Sequence, residues 1–281
     1  MTLSKQKTCS NTIAFAFLCS LAAIFLIPIL LVLLNSFKSR FYISSSPFAM
    51  PNSETFVGFE NYLNGLSSSG FFISFIRSVW VSIASVLVII VCTSMASWFI
   101  VRVKNKFTKA IYFLFAFSMI VPFQMVMYTM TFIVNRISFD NIFGIVFVYL
   151  GFGAGLSVFM FTGFVKAVPL EIEEAAEIDG CNPLQTFFLV VFPVLKPTII
   201  TVSILNSMWV WNDYLLPYLI LGTDHKTVPV AIQIAMQGAY GSTDYGGFMA
   251  MLVLAIIPIV IFYIASQKYI IKGVISGAVK G

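Results

Sequence analysis

The sequence predicts an all-α membrane protein with six transmembrane helices and both termini in the cytoplasm. Three observations carry this. The 281 residues are 59% hydrophobic and only 10% charged. The mean hydropathy is +0.98, far above what a water-soluble surface permits. The apolar residues also run in long continuous stretches, where a barrel would show short alternating segments.

A spanning helix needs about 20 mostly apolar residues. Six stretches qualify, at roughly 13–34, 72–101, 110–134, 142–165, 198–221 and 248–267. They form a single transmembrane domain covering 1–281. The first run follows Lys5 and Lys7, exceeds the roughly 7–15 residues of a signal-peptide core, and lacks a clear small-residue cleavage site before Asn35. It reads as a retained span.

Orientation follows from the basic residues. With the N-terminus inside, eleven lysines and arginines fall on the cytoplasmic side: Lys5, Lys7, Arg102, Lys104, Lys106, Lys109, Lys166, Lys196, Lys268, Lys272 and Lys280. Five fall outside: Lys38, Arg40, Arg77, Arg136 and Lys226. The split places both termini in the cytoplasm. The net charge of +5 belongs to this bias rather than to a nucleic-acid surface. Two external segments are long, 37–71 and 222–246. For 37–71 a solvated connection and a contact surface are equal alternatives.

The four cysteines have neither disulfide nor zinc spacing, and the lone His225 cannot build a metal cluster, so no metal site is expected. No Gly-x-x-x-x-Gly-Lys-Ser/Thr motif occurs, so the chain is not expected to cradle ATP phosphates. "GFGAG" at 151–155 lies inside an apolar span and reads as small-residue helix packing. No serine, histidine and acid arrangement suggests hydrolysis, so the chain is not expected to be an enzyme.

One polar stretch stands out. Five of the eleven carboxylates, Glu171, Glu173, Glu174, Glu177 and Asp179, lie within nine positions between the fourth and fifth spans. Pro169 suits a first helical position, the glutamates suit the positive end of the dipole, and Gly180 suits a left-handed stop. The segment reads as a helix over 169–179, a glycine turn, and a second helix over 183–190. Negative charge beside an anionic inner leaflet argues for projection toward a protein rather than lying on lipid. From the residues alone, an ordinary acidic loop is an equal alternative.

Within the spans, polar groups are costly and therefore functional candidates. The main cluster is Asn206, Trp209, Trp211, Asn212 and Asp213; Gln124, Tyr128 and Asn135 form a weaker one. The competing readings are an interfacial tryptophan belt and an Asn206 that holds helices together. Pro122 and Pro258 are either gating kinks or tolerated breaks.

"EEAAEIDGCNPLQTFFLVVFPVLKP" resembles the loop signature of permease subunits of bacterial ATP-binding cassette (ABC) importers. The pattern is Glu-Ala-Ala, three residues, Gly, nine residues, Ile, one residue, Leu-Pro; here it reads Glu174-Ala175-Ala176, Gly180, Val190, Phe192, Pro193. "WNDYLLPYLIL" and the tail "GAVKG" resemble the carbohydrate-importer branch, of the maltose and multiple-sugar type. The resemblance implies a cytoplasmic coupling helix, with Glu174, Ala175, Ala176, Asp179, Gly180 and Pro193 at the contact with an ATPase. It implies a second ATPase contact through Gly277, Ala278, Val279, Lys280 and Gly281. It assigns the 222–246 loop, including Gln237, Gly238, Tyr240 and Gly241, to a sugar-binding protein. The implied partners are a second permease, two ABC ATPases carrying ATP and Mg, an extracytoplasmic binding protein, an oligosaccharide and the bilayer of a bacterial cytoplasmic membrane. No cofactor is implied for this chain itself. Two alternatives stay open: the same architecture importing glycerol phosphate or another small polar solute, and an ATP-independent secondary transporter.

Overall fold

Long apolar runs with few breakers become long helices, and the computed structural model consists of them. It describes residues 2–237 and 244–278. In order, the helices are α1 (Thr2–Asn35), α2 (Arg40–Ser45), α3 (Glu60–Ser69), α4 (Phe71–Arg102), α5 (Lys106–Ser118), α6 (Phe123–Arg136), α7 (Gly144–Val165), α8 (Glu171–Ile178) and α9 (Pro183–Gln185). A π-helical turn at Thr186–Val191 then leads into α10 (Phe192–Val194), α11 (Lys196–Asn212), α12 (Leu215–Leu221), α13 (Val228–Gln237) and α14 (Tyr245–Ala278). Among the described residues there is no strand, only one isolated bridge between Lys38 and Phe56. Among the described residues, four helices are long and apolar enough to cross a membrane, or up to six if each of two bent helix pairs counts as one span.

The third expected span is not one straight helix. α5 and α6 meet at 108°. Pro122 is the N-cap of α6, with φ −63° and ψ 137°, so it separates two helices instead of kinking one. The fifth expected span also divides. α11 ends at Asn212, Asp213 is extended, and α12 starts at Leu215. Before it, the segment Pro183–Val194 meets α11 at 78°. Hydropathy averages across these breaks and does not register them.

The chain forms two compact units. The first comprises Met1–Phe71 and Ala231–Ile257. Within it, α1 exposes apolar side chains such as Phe15, Phe17, Ile24 and Phe25. The 37–71 segment is a built structure, not a solvated connection. Asn61 is buried and donates through Nδ2 to the carbonyls of Ser36 and Lys38, both at 2.8 Å. Phe37 packs against Phe56, Phe59 and Tyr62. Lys38 is buried too and donates through Nζ to the carbonyl of Ser46 at 2.9 Å. Burial lowers its pKa from the ordinary lysine value. The charge count treats Lys38 as a solvent-facing lysine, whereas it works as an internal pin.

The second unit comprises Phe72–Val230 and Pro258–Gly281. It has two apolar clusters. One joins Val86, Val101, Phe161, Val165, Phe187, Leu195 and Val202, and the other joins Val81, Ile89, Ile145, Tyr149, Val210, Leu216 and Ile220. In lipid, close backbone approach rather than water exclusion drives such packing. The glycines of "GFGAG" serve it. A Cβ at Gly153 would sit 2.7 Å from Ile89 Cδ1 and 2.9 Å from Asn206 Oδ1. A Cβ at Gly155 would sit 2.9 Å from the carbonyl of Phe115 on α5.

Candidate functional site: an anchored acidic helix and a polar cluster

The acidic segment folds into α8, but its carboxylates divide. Glu173 is 4% exposed and turns inward. Trp98 Nε1 donates to its Oε2 at 2.8 Å. Arg102 donates through Nε to both carboxylate oxygens, at 3.0 and 3.1 Å, and through Nη2 to Oε1 at 2.6 Å. Arg102 Nη2 also donates to the carbonyl of Val168 at 3.0 Å. This forked, charge-assisted pairing ties α8 to the end of α4. Ile172 packs on the apolar cluster beside it, and Ala176 is buried. Glu171, Glu174, Ala175, Glu177, Ile178 and Asp179 face outward. Ile178 is 86% exposed, the extreme among the large apolar side chains.

Pro169 precedes α8 instead of opening it; Leu170 is the N-cap. The end of the helix is as the glycine implies. Gly180 has φ +87°, the Gly180 amide donates to the Glu177 carbonyl at 3.0 Å, and the Cys181 amide donates to the Ala176 carbonyl at 3.0 Å. This is the Schellman pair of bonds. An added Cβ at Gly180 would meet nothing within 4 Å, so the backbone angle, not space, requires glycine. Asn182 then restarts the chain with a reciprocal cap: its side chain accepts from the Gln185 amide at 3.0 Å, and Gln185 Oε1 accepts from the Asn182 amide at 2.9 Å. The second helix expected over 183–190 is mostly the π turn. The turn buries Phe187, whose ring lies 5.5 Å from that of Trp98. Pro193 is exposed in α10. The anchors Trp98, Arg102 and Phe187 escaped sequence reasoning. Arg102 reads there only as a cytoplasmic charge, although a lone arginine closing a long apolar run is the signal for a buried partner.

The polar cluster at 206–213 is mostly engaged internally. Asn206 is buried and donates through Nδ2 to Ser157 Oγ at 3.1 Å and to the Val202 carbonyl at 2.9 Å. Asp213 accepts at Oδ1 from the amides of Leu215 (3.1 Å) and Leu216 (3.4 Å), and at Oδ2 from the Tyr149 hydroxyl (3.1 Å). It therefore caps α12 and ties it to α7. Trp209 stacks edge-on against Tyr149 with centroids 5.3 Å apart. Asn212 is exposed and bonds back to the Met208 carbonyl at 2.7 Å. Gln124 and Tyr128 are exposed on α6. Arg77 donates to the Asp224 carbonyl at 3.0 Å. A cavity of about 350 Å³ lies between α4, α11 and the Pro258 region of α14. Trp211, Met208, Ser82, Ser203 and Ser207 line it, among aliphatic side chains. Its wall suits an apolar face with a few hydroxyl contacts.

Of the remaining expected contacts, Gln237 ends α13 and Gly277 and Ala278 end α14. Gly238, Tyr240, Gly241, Val279, Lys280 and Gly281 lie outside the described residues.

Together these features define a class: an all-α protein built on apolar helices of membrane-spanning length, with an acidic helix braced against the end of one of them. The model of the family described as "Binding-protein-dependent transport system inner membrane component" matches residues 88–276, and the chain belongs to that family. It is 34% identical to the probable starch degradation products transport system permease protein AmyC of Thermoanaerobacterium thermosulfurigenes, over 92% of this chain and 93% of that one. It is 36% identical to the multiple sugar-binding transport system permease protein MsmG of Streptococcus mutans, over 91% and 92%. It is 32% identical to the melibiose/raffinose/stachyose import permease protein MelC of Bacillus subtilis, over 91% of each. Its fold is similar to a chain in the crystal structure of a bacterial ABC transporter involved in the import of the acidic polysaccharide alginate. That likeness has a TM-score of 0.77 at 19% identity, and covers 94% of this chain and 97% of that chain. The resemblance to ABC-importer permeases, read from the Glu174-Ala175-Ala176 loop, and to their sugar branch, read from "WNDYLLPYLIL" and the tail, therefore holds.

Proposed function

We propose that the chain is one transmembrane half of an ATP-driven oligosaccharide importer in a bacterial cytoplasmic membrane. It spans six times with both termini inside, the two bent pairs each counting as one span. A second permease completes the path. Two ABC ATPases hold the ATP and Mg and carry out hydrolysis, and an external binding protein delivers the sugar. The tail 277–281 and the loop containing Gln237, Gly238, Tyr240 and Gly241 are further contacts with the ATPases and the binding protein. This chain acts as a non-catalytic permease.

The observation that carries the reading is the division of α8 into two faces. The inner face is locked to α4 through Glu173, Trp98 and Arg102. The outer face offers Glu174, Ala175, Ile178 and Asp179 to a partner. A force applied to that outer face passes to α4 through a buried ion pair instead of being lost in loop motion. The partner drives the change only by binding one permease state better than another. Along the path, Gln124, Tyr128, Asn212 and the Trp211 cavity are the open sugar contacts, while Asn206, Trp209 and Asp213 position them.

The test is uptake of labelled di- and trisaccharides by cells lacking this gene, with glycerol phosphate and an amino acid as controls. Loss of one oligosaccharide class, restored by the intact gene, is expected. Undisturbed sugar uptake with a lost control solute contradicts the sugar cargo.

A further inference from the structure

At the end of α4 and α7 and the start of α5, a second cavity of about 540 Å³ opens. Arg102, Lys104, Lys109 and Lys166 line it, together with Tyr112 and Thr162. No acidic side chain contributes to the lining. Arg102 is already neutralised by Glu173, the one ion pair among the described residues. Lys104, Lys109 and Lys166 therefore present three positive charges to one cavity without a carboxylate to meet them. The Lys166 ammonium lies over the Tyr112 ring, 5.8 Å from its centroid. A cation held against the negative face of an aromatic ring is oriented without being neutralised.

Three ammonium groups match a phosphate bearing several acceptor oxygens.

The position selects the source of that phosphate. The cavity sits where two apolar helices of spanning length end, which is the depth of lipid headgroups. Beside it, α5 exposes Phe113, Leu114 and Phe117, a surface suited to acyl chains. A soluble anion would make no use of that surface. We infer that this cavity is a binding site for the phosphate headgroup of an anionic phospholipid. The inference needs only that α4 and α7 span the bilayer, and it does not depend on the sugar or on coupling. Basic pockets between helix ends are a recurring way to hold such headgroups.

The test uses the assembled transporter purified from membranes and placed in nanodiscs of phosphatidylcholine with or without phosphatidylglycerol. Retained lipid is read by native mass spectrometry. The intact complex keeps phosphatidylglycerol in preference to phosphatidylcholine. Lys104→Gln/Lys109→Gln/Lys166→Gln lowers that preference by roughly tenfold or more. The single exposed variants Lys104→Gln and Lys109→Gln each lower it by a few-fold, so the test survives if the triple variant does not assemble. Equal retention by the lysine variants overturns the inference. So does displacement of the lipid by inorganic phosphate, which marks a soluble-anion site. Protection of Lys109 from an amine reagent by the ATPase subunits rather than by the lipid also overturns it, because the cavity is then a protein contact. Uptake measured on the same variants keeps this outcome separate from the importer assignment.

Discussion

The two ends of the second compact unit use polar residues in opposite ways. At the acidic helix, a dense run of charge divides, with Glu173 spent inward on Arg102 and the remaining carboxylates left outward. In the 206–213 cluster, the polar groups that look most available, Asn206 and Asp213, are consumed by their neighbours. The first end keeps an exposed acidic face, and the second keeps a shape. A polar residue in an apolar span thus has to be asked what it already bonds before it is assigned to a solute. Substitutions at the two ends should fail differently.

The largest effect is expected at the brace. Glu173→Ala strips the partner from a partly buried Arg102 and from Trp98 Nε1, and should cost about 3 kcal/mol. Thermal unfolding of the purified chain and its level in membranes read this directly. A variant as stable as the parent breaks the comparison on its inner side. An intermediate effect is expected at the helix cap. Asp213→Ala removes the acceptor of the Leu215 and Leu216 amides and should cost about 1 kcal/mol. The decisive readout is a split: lowered stability with an unchanged KM for the sugar. A raised KM at unchanged stability makes Asp213 a solute contact and reverses its assignment. The smallest stability effect is expected on the outer face of α8, where Glu174→Lys should change unfolding by no more than about 0.5 kcal/mol.

Much of this was legible in the residues, for physical reasons that differ by place. Gly180 is a local device, so spacing alone announces it. The glycines of "GFGAG" were legible because only small residues let helices approach inside an apolar run. Pro122 announced a kink or a break but not its size, because a hydropathy average runs straight across two helices that meet at 108°. Pro169 looked like a first helical residue and lies before the N-cap, since the turn out of α7 occupies those positions. Glu173 could not be told from its acidic neighbours, because its partner lies 71 residues away in sequence. The order of 37–71 was hidden for the same reason: Asn61 answers carbonyls at Ser36 and Lys38, more than twenty residues upstream.

The most direct measurement is sugar-stimulated ATP hydrolysis by the reconstituted complex carrying Glu174→Lys, alongside its assembly in the membrane. The account predicts a complex that assembles at normal levels and no longer couples sugar to hydrolysis. Full sugar-stimulated hydrolysis and transport in that complex would contradict it, and α8 would then be an acidic loop with no role in transmission.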